Sequence, residues 1–180
     1  MFLPDLSPYQ LSPAHPPMIA VGWLDRAHPY DVQMASRRFL SRLHVFCTRT
    51  NIGSMGIHEC EFCPQPVSNI SVQDGTHRHH LGSGIMLAFG QRNSIYAAPD
   101  LVYHYVRDHH YAPPSVFIQA ILRGPLPTTR SYRARRMRLF AANSTDDGAT
   151  AERLRMARRR FEEETLAGRV KWWIKDHNPW

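Results

Sequence analysis

Two short stretches of the chain decide the fold: Cys60-Glu61-Phe62-Cys63 and His104-Tyr105-Val106-Arg107-Asp108-His109. The first is a C-x2-C pair, and the second is an H-x4-H pair at the start of a helical pattern. Two thiolates from a tight turn and two imidazoles from one helix face can complete a tetrahedron around Zn²⁺. The sequence therefore predicts a structural zinc site with Cys60, Cys63, His104 and His109 as its ligands.

A closed zinc site of this kind holds a fold together and does not by itself perform a reaction. Structural zinc supplies folding free energy on the order of 10 kcal/mol, so loss of any ligand should unfold the centre of the domain. The order turn, hairpin, helix is that of a ββα zinc finger. However, 40 residues separate Cys63 from His104, about three times the usual insert.

Two alternatives to this ligand set stay open. The four side chains could be two buried thiols and two surface histidines without a metal ion. A different histidine could also replace one ligand, although consecutive helical residues point roughly 100° apart and only one of His109 and His110 should ligate. The other candidates are His58, His77, His79 and His80.

Hydrophobic periodicity predicts an α+β fold class for the chain. Residues 1–17 contain five prolines and form a Pro-rich N-terminal arm, extended and mobile. Residues 18–125 are predicted to form a small zinc-stapled core that contains the C-x2-C turn, a β-hairpin and the helix with H-x4-H. Residues 126–180 are predicted to be an Arg-rich, helical C-terminal extension.

Several elements follow from local patterns. A strand is predicted for Ile19–Leu24, and a helix for residues 32–47 with Asp31 as its N-cap. Alternating apolar residues predict a hairpin that turns at residues 90–93. Further helices are predicted to start at Pro99-Asp100 and at Ser115, and the last elements are a helix at 149–167 and a strand at 170–174.

The net charge of +7 is confined to one segment. Residues 1–122 contain eight arginines and eight acidic residues, whereas residues 123–160 contain eleven arginines and three acidic residues. Arginine suits bidentate phosphate contacts and stacking on bases. A nucleic acid or other polyanion is therefore the predicted partner, and the candidate binding residues are Arg130, Arg133, Arg135, Arg136 and Arg138, with Tyr132 and Phe140 interleaved.

Two other interpretations of the basic segment stay open. The segment can be a helix that covers its own fold, or it can grip an acidic protein partner together with Trp172, Trp173 and Trp180. The second group of arginines, Arg153 to Arg160, is interpreted as a solvated helix face whose charge is offset by Glu162 to Glu164. The sequence does not indicate whether the chain forms a homo-oligomer.

Cysteine usage and hydropathy indicate the compartment. The chain has three cysteines, two of them in C-x2-C, which fits a reducing environment better than a disulfide framework. No signal peptide and no apolar run of membrane-spanning length is present, so the expected localisation is cytoplasmic and no membrane partner is expected. Cys47 is interpreted as a buried small apolar side chain.

A catalytic alternative rests on three residues in the order of a His-Asn-His nuclease, namely His80, Asn93 and His104. In such enzymes one ββα unit binds a divalent metal and a histidine activates water. His104 would then be unavailable as a structural ligand, or the two sites would share it. The sequence favours a non-enzymatic protein.

The chain resembles a family of small uncharacterised bacterial proteins. The resemblance rests on Gly56-Ile-His-Glu-Cys-Glu-Phe-Cys63, on Tyr96-Ala-Ala-Pro99, and on the run from His104 to Phe117. These stretches fit G-x-H-x-C-x-F-C, Y-x-x-P and H-Y-V-x-x-H-x-Y-x-P-P-x-x-F. The resemblance covers about residues 20–125 and implies the same four ligands, with His110 at a variable position; it implies no function.

Overall fold

The computed structural model describes residues 2–13, 15–49, 52–53, 57–64 and 70–141. These residues form a mixed α+β fold, which confirms the predicted fold class. Met1–Leu139 form one compact unit that holds nearly all of the described residues. The helix predicted at 149–167, the strand predicted at 170–174, Arg153 to Arg160 and the three C-terminal tryptophans lie outside the described residues.

The described strands form two sheets. In chain order the strands are β1 (Pro8–Tyr9), β2 (Met18–Ala20), β3 (Ile52–Gly53), β4 (Ser71–Asp74), β5 (His77–His80), β6 (Gly84–Phe89) and β7 (Ile95–Pro99). The larger sheet has the order β1-β2-β7-β6-β3, and β4 pairs with β5 in a separate hairpin. Only the β2–β7 pair is parallel among these pairings.

The hairpin of β6 and β7 is the centre of the core, and it confirms the hairpin predicted from alternating apolar residues. Its register places Leu87 opposite Ala97 and Met86 opposite Ala98. All six residues of β6 are buried, so both faces of this strand are covered. Arg92 and Asn93 take positive φ values of 50° and 61° in the turn, which lets the chain reverse tightly.

Four helices lie within the described residues: α1 (Arg37–Arg49), α2 (Val102–Asp108), α3 (Ser115–Arg123) and α4 (Arg130–Ala141). The buried face of α1 consists of Phe39, Leu43, Phe46 and Cys47, at the spacing of an amphipathic helix. Cys47 is fully buried beside Met86, which confirms its interpretation as a small apolar side chain. None of the described helices is long and apolar enough to cross a membrane.

The predicted start of the first helix is wrong by five residues. The Phe39 amide donates to Ser36 Oγ at 3.3 Å, so Ser36 rather than Asp31 caps the helix. Asp31 instead accepts a hydrogen bond from the Ala112 amide at 2.8 Å, and Val32 forms a β-bridge with Tyr111. This segment is therefore held by the chain that follows α2, because its backbone groups are already paired there.

The N-terminal segment is part of the larger sheet through the two-residue strand β1, with turns before and after it. β1 pairs with β2, and Asp5 accepts hydrogen bonds from the Gly22 amide at 2.8 Å and the Tyr111 hydroxyl at 2.6 Å. The strand predicted for Ile19–Leu24 ends early because Gly22 turns the chain with a φ of 73°. A Cβ atom at Gly22 would lie 2.7 Å from Val102 Cγ2. The domain boundaries at 18 and 125 stay predictions.

Candidate metal centre

A chain of hydrogen bonds positions the cysteine turn against α2. The His58 amide donates to the Gly82 carbonyl at 2.7 Å, and the Gly82 amide donates to Asp100 Oδ1 at 2.6 Å. Asp100 lies two residues before α2, and His58 lies two residues before Cys60. Gly82 has a φ of 105°, and a Cβ atom there would lie 2.4 Å from the His58 carbonyl oxygen. Only glycine fits this junction.

Asp100 is the buried anchor of this junction. Its side chain is completely buried, and burial raises the pKa of its carboxyl group to about 6 even though several backbone amides favour the charged form. A buried carboxyl group that accepts hydrogen bonds from neighbouring amides fixes their positions relative to one another. Asp100 therefore links the end of β7, the loop at Gly82 and the start of α2.

One histidine comes from α2 itself and the other from the residue just after it. His104 lies within the helix and is buried. His109 follows the last helical residue with φ −109° and ψ 5°, and its amide donates to the Tyr105 carbonyl at 3.1 Å. The prediction that both imidazoles lie on one helix face is therefore wrong for His109. The helix ends there because His110 takes a φ of 56° and Tyr111 bridges to Val32.

The fold brings the four predicted ligands together. Their ligand atoms all lie within 4.8 Å of one another, and the group could hold a metal ion. Cys60 Sγ lies 3.3 Å from His109 Nε2, and Cys63 Sγ lies 3.4 Å from His104 Nε2 and 3.5 Å from His109 Nε2. The two Nε2 atoms are 3.0 Å apart.

These spacings match a tetrahedral site of ordinary size. With metal–sulfur and metal–nitrogen distances of about 2.3 and 2.05 Å, tetrahedral angles place sulfur about 3.5 Å from nitrogen and the two nitrogens about 3.3 Å apart. The sulfur–nitrogen distances agree within about 0.3 Å, and the nitrogen pair is slightly closer. Four of the six donor pairs thus lie at spacings close to those of a tetrahedral site, and the group could hold one ion.

The protonation of the donors suits a cation. Burial raises the pKa of the Cys60 thiol to about 11, so its thiolate form needs a nearby positive charge. Burial also lowers the pKa of His104 and of His109, which keeps both imidazoles neutral and leaves their nitrogens able to ligate. A divalent cation satisfies both requirements, because it stabilises thiolates and binds neutral imidazoles.

Asp108 orients His104 and was not singled out from the sequence. His104 Nδ1 and Asp108 Oδ2 are 2.6 Å apart, so the ring donates from Nδ1 and presents the Nε2 lone pair to the centre of the cluster. Arg107 donates to both oxygens of the same carboxylate at 2.7 and 2.6 Å. Burial alone would raise the pKa of Asp108, but the hydrogen bonds from Arg107 and His104 lower it. In the sequence, the H-x3-D spacing of His104 and Asp108 on a predicted helix was the signal for this contact.

Aromatic side chains surround the cluster. Phe62, which precedes Cys63, packs edge to face against Tyr30 at 5.1 Å and Tyr105 at 5.6 Å between ring centroids. Its ring also lies 5.6 Å from that of His109. Cys60 and His104 are buried, while Cys63 and His109 are half-buried. The apolar surroundings limit the access of water to the donors.

The other candidate histidines lie elsewhere. Among the residues that the structure describes, the only group of three or more potential metal-binding side chains is the four-donor cluster. His110 is exposed, and His77, His79 and His80 lie on β5. The His-Asn-His hypothesis requires His80 and Asn93 in one hairpin, but His80 ends β5 in the smaller sheet, and Asn93 lies in the turn between β6 and β7. His104 Nε2 lies 3.4 Å from Cys63 Sγ and so belongs to the four-donor cluster.

The predicted nucleic-acid-binding arginines all lie on α4. Arg130, Arg133, Arg135 and Arg138 are exposed, and Arg136 is half-buried. The helix is held by Tyr132 and Leu139, which are buried, and the Tyr132 hydroxyl donates to the Leu87 carbonyl at 2.8 Å. Tyr132 therefore anchors the helix, and it is not available to stack on a base.

Residues 1–122 match the profile of a family described only as a domain of unknown function, DUF7919. The chain belongs to this family. No curated protein and no solved structure matches the chain. The match agrees with the resemblance to an uncharacterised family, and it starts earlier than the predicted residue 20, so it includes the N-terminal segment that pairs with β2.

Proposed function

We propose that the four-donor cluster holds a structural zinc ion, and that the protein binds nucleic acid through arginines on α4 without catalysing a reaction. The zinc assignment is supported by the convergence of two sulfurs and two imidazole nitrogens at tetrahedral spacing. The binding assignment is supported by α4, which exposes four guanidinium groups while Tyr132 and Leu139 hold it on the core.

The donor set favours zinc over other common ions. Thiolates and imidazoles are the ligands of zinc in closed tetrahedral sites, whereas magnesium and calcium take oxygen ligands. With four protein donors the coordination shell is full, and no position is left for a substrate or an activated water. A full shell supports a structural ion, which joins the turn at Cys60 to the end of α2.

Elemental analysis of the purified protein tests the zinc assignment. We expect one zinc per chain, loss of folded structure when the ion is removed with a chelator, and recovery on addition of Zn²⁺. The Cys60→Ser variant should bind less than one equivalent of zinc and should unfold at a lower temperature. Unchanged stoichiometry and melting temperature in this variant would contradict the assignment.

The electrostatics of α4 support contact with phosphates. Residues 109–145 contain six arginines and no acidic residue, so the helix has no compensating carboxylate in its own sequence. Arginine forms bidentate hydrogen bonds with phosphate oxygens, and it keeps its charge at any physiological pH. A helix fixed on the core by Tyr132 presents these groups at defined positions.

Fluorescence anisotropy of labelled DNA against salt concentration tests the binding proposal. The logarithm of affinity should fall linearly with the logarithm of salt concentration, by roughly one unit of slope per phosphate contact. Substitution of Arg130, Arg133 and Arg138 by Gln should weaken binding and make the slope shallower by about three. Retention of an acidic protein, and not nucleic acid, during purification would favour the alternative of an acidic protein partner.

A further inference from the structure

Three helices of the described fold carry arginines and no acidic residue. α1, α3 and α4 together contain ten arginines, with neither aspartate, glutamate nor lysine. Residues 1–141 contain eight acidic residues, and all eight lie outside these helices. Acidic residues are therefore absent from these three helices, and the helices that carry only positive charge include one far from the C-terminal segment. α1 alone contributes Arg37, Arg38, Arg42 and Arg49.

Side-chain contacts join α1 to each of the other two helices. Arg42 of α1 donates from Nε to the Ile121 carbonyl at 2.6 Å and from a terminal nitrogen to the Gly124 carbonyl at 2.7 Å. It therefore binds the last turn of α3, whose carbonyls have no partner within the helix. Phe46 of α1 packs edge to face against Tyr132 of α4, with centroids 5.9 Å apart. α1 thus contacts both other helices.

The arginines divide into two roles. Arg42 holds α3, and Arg49 forms an ion pair with Asp74, so these two have structural functions. Besides Arg49, the exposed arginines on the three helices are Arg37, Arg38, Arg123, Arg130, Arg133, Arg135 and Arg138. Like charges on neighbouring helices repel one another, and a polyanion that binds them reduces this repulsion.

We infer that α1, α3 and α4 form one composite surface for the phosphate backbone of duplex nucleic acid. This inference rests on the proposed binding through α4 and adds α1 and α3 to the interface. From Arg130 to Arg138 the α4 axis spans roughly 12 Å, which corresponds to about seven backbone charges of a duplex at one charge per 1.7 Å. A surface of three helices matches a still longer stretch of backbone.

The absence of exposed aromatic rings on these helices favours a duplex over a single strand. Proteins that bind single strands stack bases on aromatic side chains. Phe39, Phe46, Phe117 and Tyr132 are buried, Phe140 is half-buried, and the large apolar side chains that are exposed in the described part of the chain are all aliphatic. The surface therefore offers contacts to phosphates and no platform for unpaired bases, and binding should depend little on sequence.

Two double variants of the full-length, zinc-loaded protein test the surface. Arg37→Gln/Arg38→Gln removes two exposed charges from α1, while Arg26→Gln/Arg78→Gln removes two exposed charges outside the three helices. The probes are a labelled 20-base-pair DNA duplex and one of its strands alone, titrated over a range of salt concentrations. Circular dichroism and zinc content confirm that each variant is folded.

We expect the α1 variant to bind the duplex about tenfold or more weakly near physiological salt, with a salt slope shallower by about two, and the control variant to stay within about twofold of the wild type. The duplex should bind more tightly than the strand. Equal affinity of the α1 variant and the wild type, with weaker binding only for the α4 substitutions, would overturn the composite surface and leave the proposed function intact. Preference for the single strand would also overturn it, and no binding to either probe would overturn both proposals.

Discussion

The adjacent residues His109 and His110 allow a sharp test of the metal centre. His109 Nε2 lies 3.3 Å from Cys60 Sγ, whereas His110 is exposed and its carbonyl accepts a hydrogen bond from the Gln33 amide. We compare His109→Asn with His110→Asn, because asparagine removes the imidazole and tolerates the positive φ of 56° at His110. Only the first variant should lose the ion.

The expected magnitude separates a metal site from a hydrogen-bonded cluster. Without an ion, the two thiol protons could form two hydrogen bonds, worth about 1 kcal/mol each, so removal of His109 would cost at most about 2 kcal/mol. With zinc, the site contributes about 10–16 kcal/mol to a domain whose total free energy of unfolding is about 5–15 kcal/mol. Loss of the ion should therefore leave His109→Asn largely unfolded, while His110→Asn should stay within about 0.5 kcal/mol of the wild type.

Urea unfolding followed by circular dichroism, together with zinc analysis of the same samples, measures both quantities. The assignment of His109 as a zinc ligand is refuted if His109→Asn retains one zinc per chain and its free energy of unfolding lies within about 2 kcal/mol of the wild type. Equal losses in the two variants would also refute it, because the ligand assignment distinguishes these neighbours.

Three further substitutions test the surroundings of the site. Asp108→Asn should weaken zinc binding about 10- to 100-fold in competition with a chromophoric chelator, because His104 loses its orienting carboxylate; unchanged affinity would contradict this role. Asp100→Asn tests the buried carboxyl group, whose pKa is about 6 in the folded protein and 3.8 for a fully solvated aspartate. Its contribution to the free energy of unfolding is therefore complete below about pH 4 and is lost as the pH rises to about 6, a change of up to about 3 kcal/mol. Denaturation curves of the variant should lack this pH dependence. Asp5→Ala should lower the free energy of unfolding by about 1–3 kcal/mol because the buried Tyr111 hydroxyl loses its acceptor, and Asp5→Asn should restore part of it; a loss below about 0.5 kcal/mol would show that this contact does not stabilise the domain.

The four-donor cluster could be predicted because ligand spacing is a local property. Cys60 and Cys63 are close in sequence, and His104 and His109 are about one and a half turns apart, so each pair is preorganised by its own segment. Asp108 was within reach of the same reasoning, since it lies four residues after His104 on a helix. Asp100 and Gly82 were not, because they are 18 residues apart and their hydrogen bond depends on how two loops meet.

The start of α1 shows the limit of periodicity. Val32 and Ala35 continue the apolar spacing of the helix, but Val32 is exposed, and its backbone pairs with Tyr111. Periodicity records which residues are apolar, whereas the competition for backbone hydrogen bonds is decided by segments distant in sequence. The same limit applies to Tyr132, which the sequence shows only as an aromatic residue among arginines, although its side chain anchors α4 to Leu87.

The sequence by itself determined the α+β class, the central hairpin, the basic character of the chain and the four donors, because each of these follows from residue types at short spacing. Only the tertiary structure decided that the four donors lie within 4.8 Å of one another, that the N-terminal segment joins the sheet, and that α1 contacts both α3 and α4. Such facts depend on contacts between residues far apart in the chain, and these contacts form only when the buried side chains of the core pack together.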